Sequence, residues 1–232
     1  MTLNRQGAWK WGIGAVMVVL VVLVIVLSKG DGQGGDWVVK EVDIDPVDRG
    51  LLERQIKLTQ SGIDAQESVS NNKRDWEWVL YRSLGYSYRL LGQLTGARDA
   101  YGDYLEINPL NDAVWSEYAK VLEDMGELNV AEDAYLQALE IQPKEQYVRD
   151  LIDFWRDNYP DESSDEIKEL LDIAIVEIGR TPYFMIELGQ WYLAEGDCKQ
   201  AVEHYEIVVD MLPDNESAKK DLAEVKEQCL AN

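Results

Sequence analysis

Two patterns of apolar residues divide the chain. Between Lys10 and Lys29 lie 18 uncharged residues, Trp11 to Ser28, and the core of this run, Ala15 to Leu27, is Val, Leu, Ile, Ala and one Met. At ~1.5 Å per residue the run reaches about 27 Å, enough to cross a thin bilayer. In lipid the backbone has no hydrogen-bond partner but itself, so a Val-rich run of this kind is expected as a transmembrane helix over 11–28. Trp9 and Trp11 stand where an interfacial aromatic belt would lie. A cleaved signal peptide would need a shorter apolar core and a small-x-small site. The run instead ends in Leu27-Ser28-Lys29, and no Cys follows to carry a lipid. Arg5 and Lys10 precede the run, and Lys29, Asp31 and Asp36 follow it. That bias predicts a cytoplasmic tail at 1–10, with the rest of the chain on the periplasmic or extracellular side of the cytoplasmic membrane.

From Lys29 the texture changes. Lys29-Gly-Asp-Gly-Gln-Gly-Gly-Asp36 has the composition of a flexible tether, and a linker is expected over 29–44. Its two acids lack the ligand spacing of a calcium loop. Asp45-Pro46 is a helix start, with a capping acid and then Pro at the first helical position. Leu51, Leu52, Ile56, Ile63 and Val69 mark a leading helix to about Ser70. Beyond it the apolar spacing stays helical and no stretch alternates with period two, so almost no sheet is expected.

The chain then repeats itself. Leu84-Gly85-x-x-Tyr88 is followed by Ala97, Tyr101 and Pro109. Trp115, Ala119 and Leu122 are followed by Ala131, Tyr135, Ala138 and Pro143. Leu188-Gly189-x-x-Tyr192 is followed by Ala201, Tyr205 and Pro213. Ala97 to Ala131, Tyr101 to Tyr135 and Pro109 to Pro143 are each 34 residues, and the last copy lies 70 beyond the second. Each unit reads as two antiparallel helices. Small residues mark the close approach, a tyrosine fills the gap, Pro follows the second helix, and Gly92 to Gly96, Gly126 and Gly196 mark the inner turns. These residues resemble the tetratricopeptide repeat (TPR) family, over about 100 residues in three copies. The resemblance implies an all-α fold, a TPR-type helical-hairpin solenoid over 45–232 that follows the N-terminal span. The stretch from about Gln146 to Thr181 is a degenerate copy. It has Trp155 or Asp153 in place of the small residue, and Leu171 and Ala174 fit a frame shifted by two. Tyr104 and Val208 also replace the small residue usual late in the second helix. After Pro213 a polar-faced helix to about Leu230 would cap the open end.

The chain has two cysteines. Cys198 begins the second helix of the last pair and Cys229 ends the capping helix. With those helices antiparallel about Pro213-Asp214, residue 198 reflects onto 229. Outside the cytoplasm the pair is expected as a disulfide, and otherwise as two half-buried thiols that fill space.

The resemblance also implies a concave groove lined by the first helix of each pair. Its positions are Val79, Arg82, Tyr86, Arg89 and Leu90, then Ala113, Ser116, Lys120, Glu123 and Asp124, and last Tyr183, Ile186, Gln190, Leu193 and Ala194. The degenerate copy adds Tyr147 and Phe154. Arg82, Arg89 and Lys120 together suggest a site for a carboxylate, such as a peptide C-terminus. Tyr183, Ile186 and Leu193 suit hydrophobic side chains. Arg82 and Ser116 stand where chaperone-tail-binding TPR domains carry Lys, so that specificity is not implied.

Charge and composition narrow the function. The chain holds 22 Lys+Arg against 44 Asp+Glu, a net charge of −22. Three of the cations and none of the acids precede Asp31, so residues 31–232 carry 19 against 44, a net −25. Phosphate backbones need cations, so nucleic acid is not expected as a partner. The single His204 has no nucleophile spaced to use it, and no metal or cofactor motif is present, so neither an enzyme nor a cofactor is expected. The expected function is a membrane-anchored scaffold that holds a peptide or a partner protein. Bacterial proteins with one span followed by TPRs look similar, and some serve cytochrome c maturation or accompany the secretion translocon. The alternative is a structural subunit of an envelope complex, with self-association possible.

Overall fold

In the computed structural model the described residues are 38–67, 77–160 and 164–231. The expected membrane-spanning helix at 11–28 and the tail before it lie outside them, as do most of the tether and Val69. Among the described residues no helix is long and apolar enough to cross a membrane. These residues form ten helices and a single isolated bridge, Val39 with Gln93. They divide into two compact units, one ending at Ile141 and one beginning at Gln142, inside the stretch expected as one repeat domain.

The first unit contains α1 (Pro46–Glu67), α2 (Glu77–Leu90), α3 (Leu94–Ile107), α4 (Asp112–Asp124) and α5 (Leu128–Ile141). Asp45 caps α1 as its position suggests, its carboxylate accepting from Val47 N at 2.8 Å. α2 pairs with α3 and α4 with α5, and α1 packs on α2. Asn111 caps α4 by accepting from Val114 N at 3.1 Å. The part of the expected linker that is described, from Val38, is held in place. Lys40 N donates to Gly92 O, Leu94 N to Val38 O and Val38 N to Thr95 Oγ1, all at 2.8–2.9 Å. This strap needs glycine at 92, where φ is +71° and a Cβ would stand 2.0 Å from Lys40 O.

The second unit contains α6 (Glu145–Asn158), α7 (Ser164–Glu177), α8 (Pro182–Ala194), α9 (Cys198–Met211) and α10 (Glu216–Ala231). Thr181 caps α8 with Pro182 at its first position, and Asp197 caps α9. The degenerate stretch is therefore a helix pair, α6 with α7.

The packing of each pair turns on one position on each helix, sixteen residues apart. A Cβ on Gly85 would lie 2.7 Å from the Tyr101 ring, and a Cβ on Gly189 2.7 Å from the Tyr205 ring. The rings lie directly on helix backbone, and the corresponding pair in α4 and α5 is Ala119 with Tyr135. In α6 and α7 the residues at the same offset are Trp155 and Leu171, both buried. A large side chain thus stands on the first helix where the other pairs carry glycine or alanine, and these two helices pack less closely than those of the other pairs. Tyr104, where a small residue was expected, is wholly buried, and its hydroxyl accepts from Asn108 and Asn111 at 3.1 and 2.7 Å.

Cys198 and Cys229 are joined as a disulfide, with Cα atoms 5.5 Å apart. It ties the end of α10 to the start of α9. α10 otherwise rests on a small apolar set in which Val225, Leu222 and Cys229 meet Ala201 and Tyr205.

Three substitutions test this packing. Alanine normally stabilises a helix relative to glycine, and Gly50→Ala, where a Cβ meets nothing within 4 Å, is expected to raise stability by about 0.5–1 kcal/mol. Gly85→Ala is expected to lower it by about 1–3 kcal/mol in denaturant unfolding, because the Tyr101 ring must move. Cys198→Ser is expected to lower the stability of the second unit by about 3–4 kcal/mol through the freed loop of 31 residues, with dithiothreitol on the unsubstituted chain having the same effect.

Candidate partner-binding surface

The first helices of the pairs carry the implied groove residues, α2 and α4 in the first unit and α6 and α8 in the second. On α2, Val79 and Tyr86 are seven apart and each 49 % exposed, and Arg82 is exposed between them. Residues seven apart complete two turns, so the three share one face. Arg89, next along that face, is already engaged. Its Nε lies 3.1 Å from Glu117 Oε2 on α4, and both atoms are shielded from solvent. Its guanidinium carbon is 6.0 Å from the centre of the Tyr86 ring. Leu90 is half-buried.

On α4 the implied residues serve the fold more than the surface. Ser116 is buried, and Ala113 and Lys120 are half-buried. Glu123 Oε2 accepts from the Tyr135 hydroxyl at 2.8 Å. Asp124 pairs with Lys40 of the strap, which therefore occupies that end of the surface. The expected cluster of Arg82, Arg89 and Lys120 is thus not three open cations. Arg82 alone of the three is exposed, because Glu117 claims Arg89. Burial first, and then the Glu117 carboxylate, pushes the Tyr101 hydroxyl beneath this pair well above the ordinary tyrosine range.

In the second unit Tyr147 and Phe154 are buried, so they belong to the interior and not to a contact surface. The Arg149 guanidinium lies over the Tyr183 ring at 3.6 Å. Burial, then the Glu187 and Asp153 carboxylates, raises the Tyr183 hydroxyl well above its usual range, so it remains a neutral donor. Ile186 and Leu193 pack against the cluster of Ala201, Tyr205 and Val225. Both are half-buried there. Gln190 is exposed on α8. His204 is a packing residue. Its Nδ1 is 2.8 Å from Gln200 O, and its ring lies 5.1 Å from that of Tyr192. Among the described residues no cluster of His, Cys, Asp or Glu is placed to hold a metal ion.

Sequence reasoning missed one device. Glu187 on α8 is buried, and Arg156 on α6 grips it with two prongs, Nη1 to Oε1 at 3.3 Å and Nη2 to Oε2. Arg89 and Glu117 make the corresponding contact in the first unit. In both, a cation near the end of one first helix reaches an acid in the middle of the next first helix. Glu117 and Glu187 are 70 apart, like the repeats, and each stands two residues before the small residue, Ala119 or Gly189. That register was readable in the sequence as an acid beside a close-packed position.

The grip on Glu187 sets the size of a mutation. Arg156→Ala leaves a buried carboxylate unpaired, and since Arg156 is itself 43 % exposed the expected loss is about 2–3 kcal/mol in denaturant unfolding. Lys199→Ala, which breaks a surface pair with Glu203, is expected to change stability by less than about 0.5 kcal/mol.

Comparison with known proteins follows the same lines. A family model described as Tetratricopeptide repeat matches residues 113–145, which cover α4 and α5. Among solved structures, the chain is similar to a kinesin light chain with nearly identical TPR-like repeats from Podosopora anserina. The identity is 18 %, the TM-score 0.53, and the match covers 73 % of this chain and 90 % of that one. It is also similar to a tetratricopeptide repeat protein from Parabacteroides merdae, at 15 % identity and a TM-score of 0.50, over 76 % of this chain and 73 % of the other. At these identities the likeness is one of fold. No curated protein matches the chain. Residues 113–145 thus match the tetratricopeptide repeat model, and the described helix pairs before and after them share an all-α, TPR-like fold.

Proposed function

We propose that this chain is a membrane-anchored scaffold that holds an extended peptide on the α2 face of its first unit, on the extracytoplasmic side, and so acts as a chaperone-like factor in protein maturation. The observation that carries the reading is the exposure of Val79 and Tyr86 on either side of Arg82. Two apolar contacts flanking one cation fit a peptide that carries a carboxylate between or beside apolar side chains. The uncharged run 11–28 supports the anchor, and the Cys198–Cys229 disulfide supports an oxidising compartment. The scale of the acid excess supports solubility and selects against acidic competitors elsewhere on the surface.

The reading is tested with the full chain in nanodiscs and unstructured peptides of one sequence, ending either in a free carboxylate or in an amide. The carboxylate form is expected to bind about tenfold tighter, Arg82→Glu to remove the difference, and Tyr86→Ala to weaken both forms by about tenfold. Equal binding of both peptides, unaltered by either substitution, would sink it. Oligomerisation through this face without peptide capture would favour the envelope-subunit reading instead.

A further inference from the structure

One face of α1 has no place in the fold or in the peptide site. With a turn of about 100° per residue, Val47, Leu51, Arg54, Lys57 and Leu58 fall within one arc on the side away from Leu52, Ile56 and Ile63, the residues that turn inward. All five are exposed, Val47 at 71 %, Leu51 at 61 % and Leu58 at 66 %. No acid falls on this arc, and Asp48, Glu53 and Asp64 of the same helix lie to its sides. In a chain with 44 acids, an exposed helix face with three large apolar side chains, two cations and no carboxylate is out of keeping with the rest of the surface.

We propose that this face of α1 lies on an anionic phospholipid surface and docks the first unit against the membrane. An apolar stripe flanked by Lys or Arg is the composition of a helix that rests in the interface plane. Its cations gain from the negative surface potential, which acts only within about 8 Å at physiological salt, so the acids on other faces contribute little repulsion. Reach favours lipid as the occupant. The uncharged run ends at Ser28 and the strap begins at Val38, so only residues 29–37 lie between, at most about 30 Å of chain. This holds α1 near the bilayer at high effective concentration, so three apolar contacts and two cations suffice. A second copy fits less well, since residues 31–232 carry −25 and two such faces would bring like cations together. The inference rests on the anchoring part of the proposed function.

The test uses full-length protein reconstituted into vesicles that contain a nitroxide-labelled lipid. An environment-sensitive fluorophore is attached at Leu58→Cys, and in a separate preparation at Val176→Cys, which is 81 % exposed on α7 of the other unit. The native cysteines are paired and do not take the label. In vesicles of phosphatidylglycerol with phosphatidylcholine, quenching at 58 is expected to exceed that at 176 by about threefold or more, and R54E/K57E is expected to reduce the docked fraction about tenfold. Anchoring is read separately by alkaline extraction. Protein that resists extraction yet shows equal quenching at 58 and 176 overturns the docking and leaves the anchor intact. Protein released by alkali overturns the anchor and the docking with it. Shielding at 58 that rises with protein density and persists in phosphatidylcholine alone assigns the face to a second copy and overturns the lipid proposal.

Discussion

Two of the four described helix pairs depend on the absence of a Cβ where their helices cross. At Gly85 and Gly189 an aromatic ring lies against bare backbone, and a single methyl group would overlap it. The tyrosine contributes much of its apolar area to a gap only one helix diameter wide, which brings the two helices of a pair into contact along their length. Everything else in a pair follows from that approach: the Gly turns at 92, 126 and 196 that return the chain, the small residues such as Ala97 and Ala201 facing the crossing, and the caps at Asn111, Thr181 and Asp197. Where the chain abandons the glycine, at Trp155, the two helices of the pair are not drawn so close.

The polar groups near this crossing are not idle. The Tyr135 hydroxyl reaches Glu123 on the preceding helix. Arg89 reaches Glu117, and Arg156 reaches Glu187, from one first helix to the next. Buried ion pairs contribute little net stability, but they fix register, because a shifted helix would leave a charge unpaired in low dielectric. Apolar packing thus brings the pairs together, and the ionic contacts set how far one slides along another. The same contacts use up residues that the repeat pattern would offer to a partner, which is why the open part of the α2 face narrows to Val79, Arg82 and Tyr86.

Much of the architecture was legible in the sequence because it rests on residues with few alternatives. Glycine under tyrosine, glycine at a positive φ and proline after a helix leave a mark at a fixed spacing, and the helix pairs were readable from them, as was the meeting of Cys198 with Cys229. The candidate surface was less legible. A repeat position says which way a side chain leaves its helix but not what waits there. Ser116, Tyr147 and Phe154 point into the fold because neighbouring residues close over them, and Arg89 is neutralised by an acid 28 residues away. The strap from Val38 was hidden for another reason. Its bonds are made by backbone, which every residue carries, and its one sequence mark is Gly92, already accounted for by the turn.

The strap gives the first helix pair a mechanical role. Val38 is bonded to Leu94 and Thr95 at the start of α3, and Lys40 to Gly92 in the turn before it, so a pull applied at residue 38 would reach α3 first and not α1. Those few backbone bonds make a short antiparallel seam, and Lys40 to Asp124 spreads the load onto α4. Load on the strap would therefore be shared by α3 and α4 ahead of the leading helix.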